Sequence, residues 1–136
     1  MNLTPNPLLA YAIALPLLLL LDGFWLLGPG RPIYMAEIGS LLKTQPNLIA
    51  AGAFYVFYAA ALVLFAILPG LRSSDAVYTL LLGAALGFAA YGTYDFTNLS
   101  VMNGFTFKIA MIDLAWGTFA SAVVSYGAVK IFQWWW

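Results

Sequence analysis

The stretch 83-GAALGFAAYGTYDFTNLS-100 decides how this chain folds. It begins small and apolar and ends with two tyrosines, an aspartate, two threonines, an asparagine and a serine. Every fourth position is small or polar: Gly83, Gly87, Tyr91, Asp95. Four-residue steps lie along one face of a helix. A second stretch, 113-DLAWGTFASAVVS-125, carries the same spacing at Asp113, Gly117, Ser121 and Ser125. Asn103-Gly104 stands between them as a turn signal. Folding the chain back at Gly104 sets Asp95 level with Asp113, Tyr91 with Gly117, Gly87 with Ser121 and Gly83 with Ser125. Small residues at this spacing let two helices approach closely in lipid. The pattern predicts a tight helical hairpin with two acids at one end.

Composition says what surrounds that hairpin. The chain has 136 residues, of which 64% are hydrophobic and only 7% charged. Soluble domains carry about 25% charged residues, so this is an integral membrane protein forming one domain over residues 1–136. Five basic residues balance five acidic ones. With no net charge and no basic run, nucleic acid is not an expected partner. Cys and His are both absent. That removes disulfides, thiol nucleophiles, haem ligation by His and the usual nitrogen or sulfur metal sites. No metal and no cofactor are expected.

A bilayer core needs about 20 apolar residues per helix. Four segments meet that length: Pro7–Leu27, Asn47–Leu68, Ala76–Leu99 and Phe105–Phe132. Gly28-Pro29-Gly30 ends the first and Pro69-Gly70 the second. The first has no Lys or Arg ahead of it and no small-residue cleavage site behind it, so it reads as a span rather than a signal peptide. Pro16 is a candidate kink in it. The fold class is therefore all-α, a four-helix transmembrane bundle. The long first loop adds a short interfacial helix within 32-PIYMAEIGSLLK-43, with Ile33, Ile38, Leu41 and Leu42 toward lipid or protein. The terminal 133-QWWW-136 suits the aromatic belt of a membrane interface.

Four spans put both chain ends on one side of the membrane and the first and third loops on the other. Arg31, Lys43 and Lys108 fall on the loop side, and Arg72 and Lys130 on the terminal side. The excess of positive charge places the two loops in the cytoplasm. Asp22, Asp95 and Asp113 all sit toward that side. A charge at mid-membrane costs about 2.5–3.5 kcal/mol on insertion scales, and such residues usually face a bundle interior. Two carboxyls at one depth in low dielectric do not both ionise cheaply, which makes Asp95 and Asp113 candidates to share a proton. The alternative is a hydrogen-bonded network that only fixes helix register. Asp22 and Trp25, like Asp113 and Trp116, follow the pattern Asp-x-x-Trp, and Asp95 and Asn98 echo it with an amide. Residues three apart share a helix face, so each acid is expected to have its own donor beside it. Tyr94, Thr97 and Lys108 complete the candidates around this end. Lys108 can instead extend to lipid headgroups. Tyr55 and Tyr58, in 54-FYVFY-58, are further candidates to line a pocket.

The segments 87-GFAAYGTYDFTNLS-100 and 108-KIAMIDLAWGTFASA-122 resemble the small predicted membrane proteins grouped as domain of unknown function 2177. Their pattern is a YGTYDLTN-like run followed by D-x-A-W-G-T. The early 22-DGFWL-26, and 54-FYVFYAAAL-62 followed by Pro69, fit as well. Phe96 departs conservatively from the usual Leu. The resemblance implies a four-span protein of the bacterial inner membrane and assigns it no activity. It carries Asp22, Trp25, Tyr91, Tyr94, Asp95, Thr97, Asn98, Asp113, Trp116, Gly117 and Thr118 over as motif positions.

No serine elbow, P-loop or metalloprotease signature is present, which tips the balance away from an enzyme. The leading expectation is a pocket that binds or transports a small polar, cationic or amphiphilic ligand through its aspartates. A membrane enzyme, or an enzyme's partner, in lipid modification is the second. An accessory subunit of a larger membrane complex is the third. Expected partners are membrane lipid and either a second copy of the chain or a membrane-complex subunit.

Overall fold

The structure is a computed structural model and describes residues 4–135. Among them, four helices are long and apolar enough to cross a membrane: Pro7–Leu27, Leu48–Ser73, Ala76–Val101 and Phe107–Trp135. The first is α1, and the last two are α5 and α6. The second span consists of α3 (Leu48–Leu62), a π turn (Val63–Ile67) and α4 (Leu68–Ser73). The short α2 (Arg31–Ile38) fills the first loop and runs into a 3₁₀ turn at Gly39–Leu41. Large apolar side chains such as Leu20, Phe57 and Leu64 stay exposed on the outer surface, as a bundle solvated by lipid tails requires.

Local chemistry explains most of the boundaries. Asn6 caps α1, its side chain accepting from the Leu8 and Leu9 amides, and Asn47 caps α3 through the Ile49 and Ala50 amides. Asp75 caps α5 through the Tyr78 amide. Asn, Asp and Ser are preferred there because they satisfy amides that have no partner within the helix. Gly104, at φ +86°, makes the turn between α5 and α6, a conformation that glycine adopts without steric cost. Helix α6 begins at Phe107 rather than Phe105. Thr106 accepts from the Ile109 amide at 3.2 Å, and Phe105 packs with Ile38, Ile109 and Ala110.

Pro16 lies inside helix α1, which continues to Leu27. One expectation about prolines is corrected. The second span does not stop at Pro69 but continues to Ser73. In the π turn before Pro69 the Leu68 amide bonds five residues back, to the Val63 carbonyl. Pro69 then falls in the first turn of the restarted helix α4, where a missing N–H leaves no ladder bond broken.

The core forms along four-residue stripes. Helix α1 buries Ala10, Ala14, Leu18 and Asp22, and α5 buries Thr79, Gly83, Gly87 and Asp95. Helix α6 buries Asp113, Gly117, Ser121 and Ser125 among others. The predicted register of the α5–α6 seam holds. A methyl group on Gly83 would lie 2.7 Å from Ser125 Oγ, and one on Gly87 2.6 Å from Ser121 Oγ. A methyl on Gly117 would overlap the Tyr91 ring. Each stripe carries a buried acid toward the same end of the bundle, at Asp22, Asp95 and Asp113.

Trp134 and Trp135 are exposed at the end of α6, as a belt position requires. Trp136 lies outside the described residues.

Candidate functional site

Three helices deliver one acid each, and the second span and α2 supply phenols to them. Asp22 of α1 accepts from the Tyr55 hydroxyl at 2.5 Å and from the Trp116 indole N–H at 2.9 Å. One carboxylate thus ties α1 to α3 and α6. Asp113 of α6 accepts from the Tyr34 hydroxyl of α2 at 2.5 Å. Tyr34 in turn accepts from the Trp25 indole at 3.3 Å. The Trp25 and Trp116 rings stack at 4.6 Å between centroids and 11° between planes.

The Asp-x-x-Trp pattern therefore works across helices. Each indole was expected beside the acid of its own motif. Instead Trp116 serves Asp22, and Trp25 reaches Asp113 through Tyr34. The indole N–H sits far out on a long side chain, so it reaches the neighbouring helix more readily than an acid one turn back.

Asp95 differs from the other two. It is fully buried, and neither carboxyl oxygen has a donor. The seam register that pairs Gly87 with Ser121 and Tyr91 with Gly117 sets Asp95 level with the buried Asp113 of the facing helix. Both groups are acceptors when ionised, so a bond between them exists only when one carries a proton.

In front of Asp113 lies a cavity of about 560 Å³. Asp22, Asp113, Tyr34, Tyr55 and Trp116 place polar groups along it, while Leu26, Ile38, Leu42, Ala51, Phe54 and Ile109 make much of its apolar wall. Tyr91 and Tyr94 of α5 also line it. Tyr58 meets Tyr91 edge to face at 6.0 Å, and its hydroxyl bonds Ser121 at 2.5 Å deeper in the bundle. Of Leu48–Phe57, only Ala51 and Tyr55 are even partly buried. The first half of α3 therefore stands largely clear of the other helices.

Helix α2 covers the loop end of the cavity. Tyr34 and Ile38, four residues apart on one face, point into it. Glu37 accepts from the Thr106 hydroxyl at 2.7 Å and pairs with Lys108 at 3.5 Å, which pins α2 to the start of α6. The Thr106 hydroxyl, and then Lys108, hold the Glu37 carboxyl below its ordinary range. Burial, and then the neighbouring Asp113 carboxylate, push the Tyr34 phenol far above its ordinary range. It remains a donor at any physiological pH.

The candidates named from sequence thus separate into groups. Asp22, Tyr91, Tyr94, Asp113 and Trp116 line the cavity. Trp25 and Asp95 stand behind it. Asn98 is half-buried and is not bonded to Asp95, neither of whose carboxyl oxygens has a partner. Thr97 is exposed. Lys108 is held by Glu37 and does not line the cavity. Tyr34 and Glu37 were missed. The available signal was the four-residue step from Tyr34 to Ile38, which puts the phenol on the same helix face as a residue expected toward lipid or protein.

The profile of a family described as predicted membrane protein (DUF2177) matches residues 7–130. The chain belongs to that family, which carries no assigned function. Searches of curated proteins and of solved structures each return no match.

Proposed function

We propose that this member of the family binds an amphiphile whose cationic or hydrogen-bond-donating head meets Asp113 and Asp22 and whose apolar tail fills the cavity. The carrying observation is the cavity itself, with acids and phenols set into an apolar wall. Among the described residues no Lys or Arg lines it, so an anionic head would meet uncompensated negative charge. A volume of about 560 Å³ corresponds to roughly 19 water-sized groups at ~30 Å³ each, enough for a twelve-carbon chain and its head. The sparse burial of α3 before Tyr58 favours entry from the lipid side, between α3 and α5.

The probe is dodecylamine, offered to the protein in lipid nanodiscs. Asp113→Asn is expected to weaken binding about tenfold or more, since a hydrogen bond to a charged group contributes about 1.5–3 kcal/mol. Equal uptake by the variant rejects the role of Asp113.

We propose a bacterial inner membrane, as the family resemblance implies, with α2 on the cytoplasmic side from the distribution of Lys and Arg. The chain has no cysteine of its own, and Ser40 is exposed. Ser40→Cys should resist an impermeant thiol reagent added to intact cells and react after lysis. Labelling of intact cells reverses the orientation.

A further inference from the structure

The site described so far leaves Asp95 without a task. It does not line the cavity, and it offers two buried oxygens with no donor. An ionised carboxylate left this way in low dielectric is among the costliest groups a protein can bury. The group facing it from α6 is Asp113. From α2, Tyr34 already donates to Asp113. Asp22 of α1 is occupied by Tyr55 and Trp116. Tyr94 and Tyr91 belong to its own helix. Among the described residues no Lys or Arg pairs with either acid, since the one ion pair is Lys108 with Glu37.

We propose that Asp95 and Asp113 hold one proton between them and release it to water when a cationic head group docks on Asp113, making the site a cation-for-proton exchanger. This rests on the amphiphile reading above. The proton gives each carboxyl a hydrogen bond and leaves the pair with a single negative charge. An arriving ammonium group takes its place. Asp95 and Asp113 are then both ionised, with one positive charge beside them. The net charge of the site is the same before and after, which is the inexpensive way to load a charged ligand into a dry interior. No covalent bond forms or breaks apart from the transfer of that proton. Asp95 acts through Asp113 and is a positioning residue for the proton rather than a contact for the ligand.

Two measurements separate this proposal from the one beneath it. The first uses ligand-free protein in nanodiscs at neutral pH, read by carboxyl infrared spectroscopy. A protonated carboxyl band is expected. It should disappear in Asp95→Asn, because Asp113 keeps the Tyr34 donor and ionises alone. It should shift in frequency in Asp113→Asn, where the buried Asp95 loses the partner that shares its proton. No band in the wild-type protein, or a band that either substitution leaves unchanged, overturns the shared proton. The second is calorimetric titration with dodecylamine in two buffers of different ionisation enthalpy. The wild-type protein should release about one proton per amine bound, and Asp95→Asn should release essentially none. Binding without release overturns the exchange and leaves the pocket standing. Absence of binding removes both readings, and the infrared result still decides whether the pair holds a proton.

Discussion

Gly87→Ala lowers the stability of the bundle by about 2 kcal/mol, while Gly52→Ala leaves it unchanged or raises it. Both glycines are helical, and alanine favours a helix by up to about 1 kcal/mol. At Gly52 a methyl group meets nothing within 4 Å, so only that gain remains. At Gly87 the methyl meets the Ser121 side chain at 2.6 Å and comes closer still to the Gly117 carbonyl oxygen. A backbone atom cannot swing aside as a flexible side chain can. Overpacking of this kind costs about 1–3 kcal/mol, and the rigid neighbour puts it near the upper end. Unfolding of the two variants by denaturing detergent in mixed micelles makes the comparison. Equal behaviour of the two would mean that α5 and α6 do not meet along the stripe.

Asp22→Leu has a comparable effect for a different reason. It leaves the Tyr55 hydroxyl and the Trp116 indole N–H without the acceptor they share. Each unmade bond to a buried group costs about 1–3 kcal/mol, and side-chain bonds within membranes fall toward the weak end of such ranges. The expected loss is about 2–4 kcal/mol. Asp22→Asn keeps an acceptor oxygen and should lose less than half of that. The same unfolding titration gives the numbers, and tryptophan emission reports whether the Trp25–Trp116 stack loosens. A harmless Asp22→Leu would show that the three-helix tie contributes nothing.

Much of this fold was legible because lipid imposes simple rules. Helices must satisfy their own backbone, so hydropathy and turn residues located the spans. Helices without a hydrophobic drive to associate rely on small residues, so the stripes from Gly83 to Asp95 and from Asp113 to Ser125 fixed the hairpin register. What was not legible depends on how side chains cross between elements. Pro69 read as a stop because its cost was weighed against an unbroken α-helical ladder, which the π turn ahead of it has already shifted. The indoles of Trp25 and Trp116 were assigned to their own motifs because i to i+3 spacing speaks only for one helix. Lys108 was grouped with Asp95 and Asp113 by its place in the chain, although Glu37, far away in sequence, holds it on the rim. Tyr34 escaped notice because an interfacial helix gives no sign of which neighbour it will cover.

The most direct test of the account compares dodecylamine with dodecanoate, equal in chain length and opposite in head charge, in one nanodisc binding assay at neutral pH. Protein-free discs of the same lipid correct both for partition into lipid. The account predicts that the wild-type protein holds the amine about tenfold or more tightly than the carboxylate, and that the preference vanishes with Asp113. Equal retention of the two heads by the wild-type protein, or a preference that Asp113→Asn leaves intact, would contradict it.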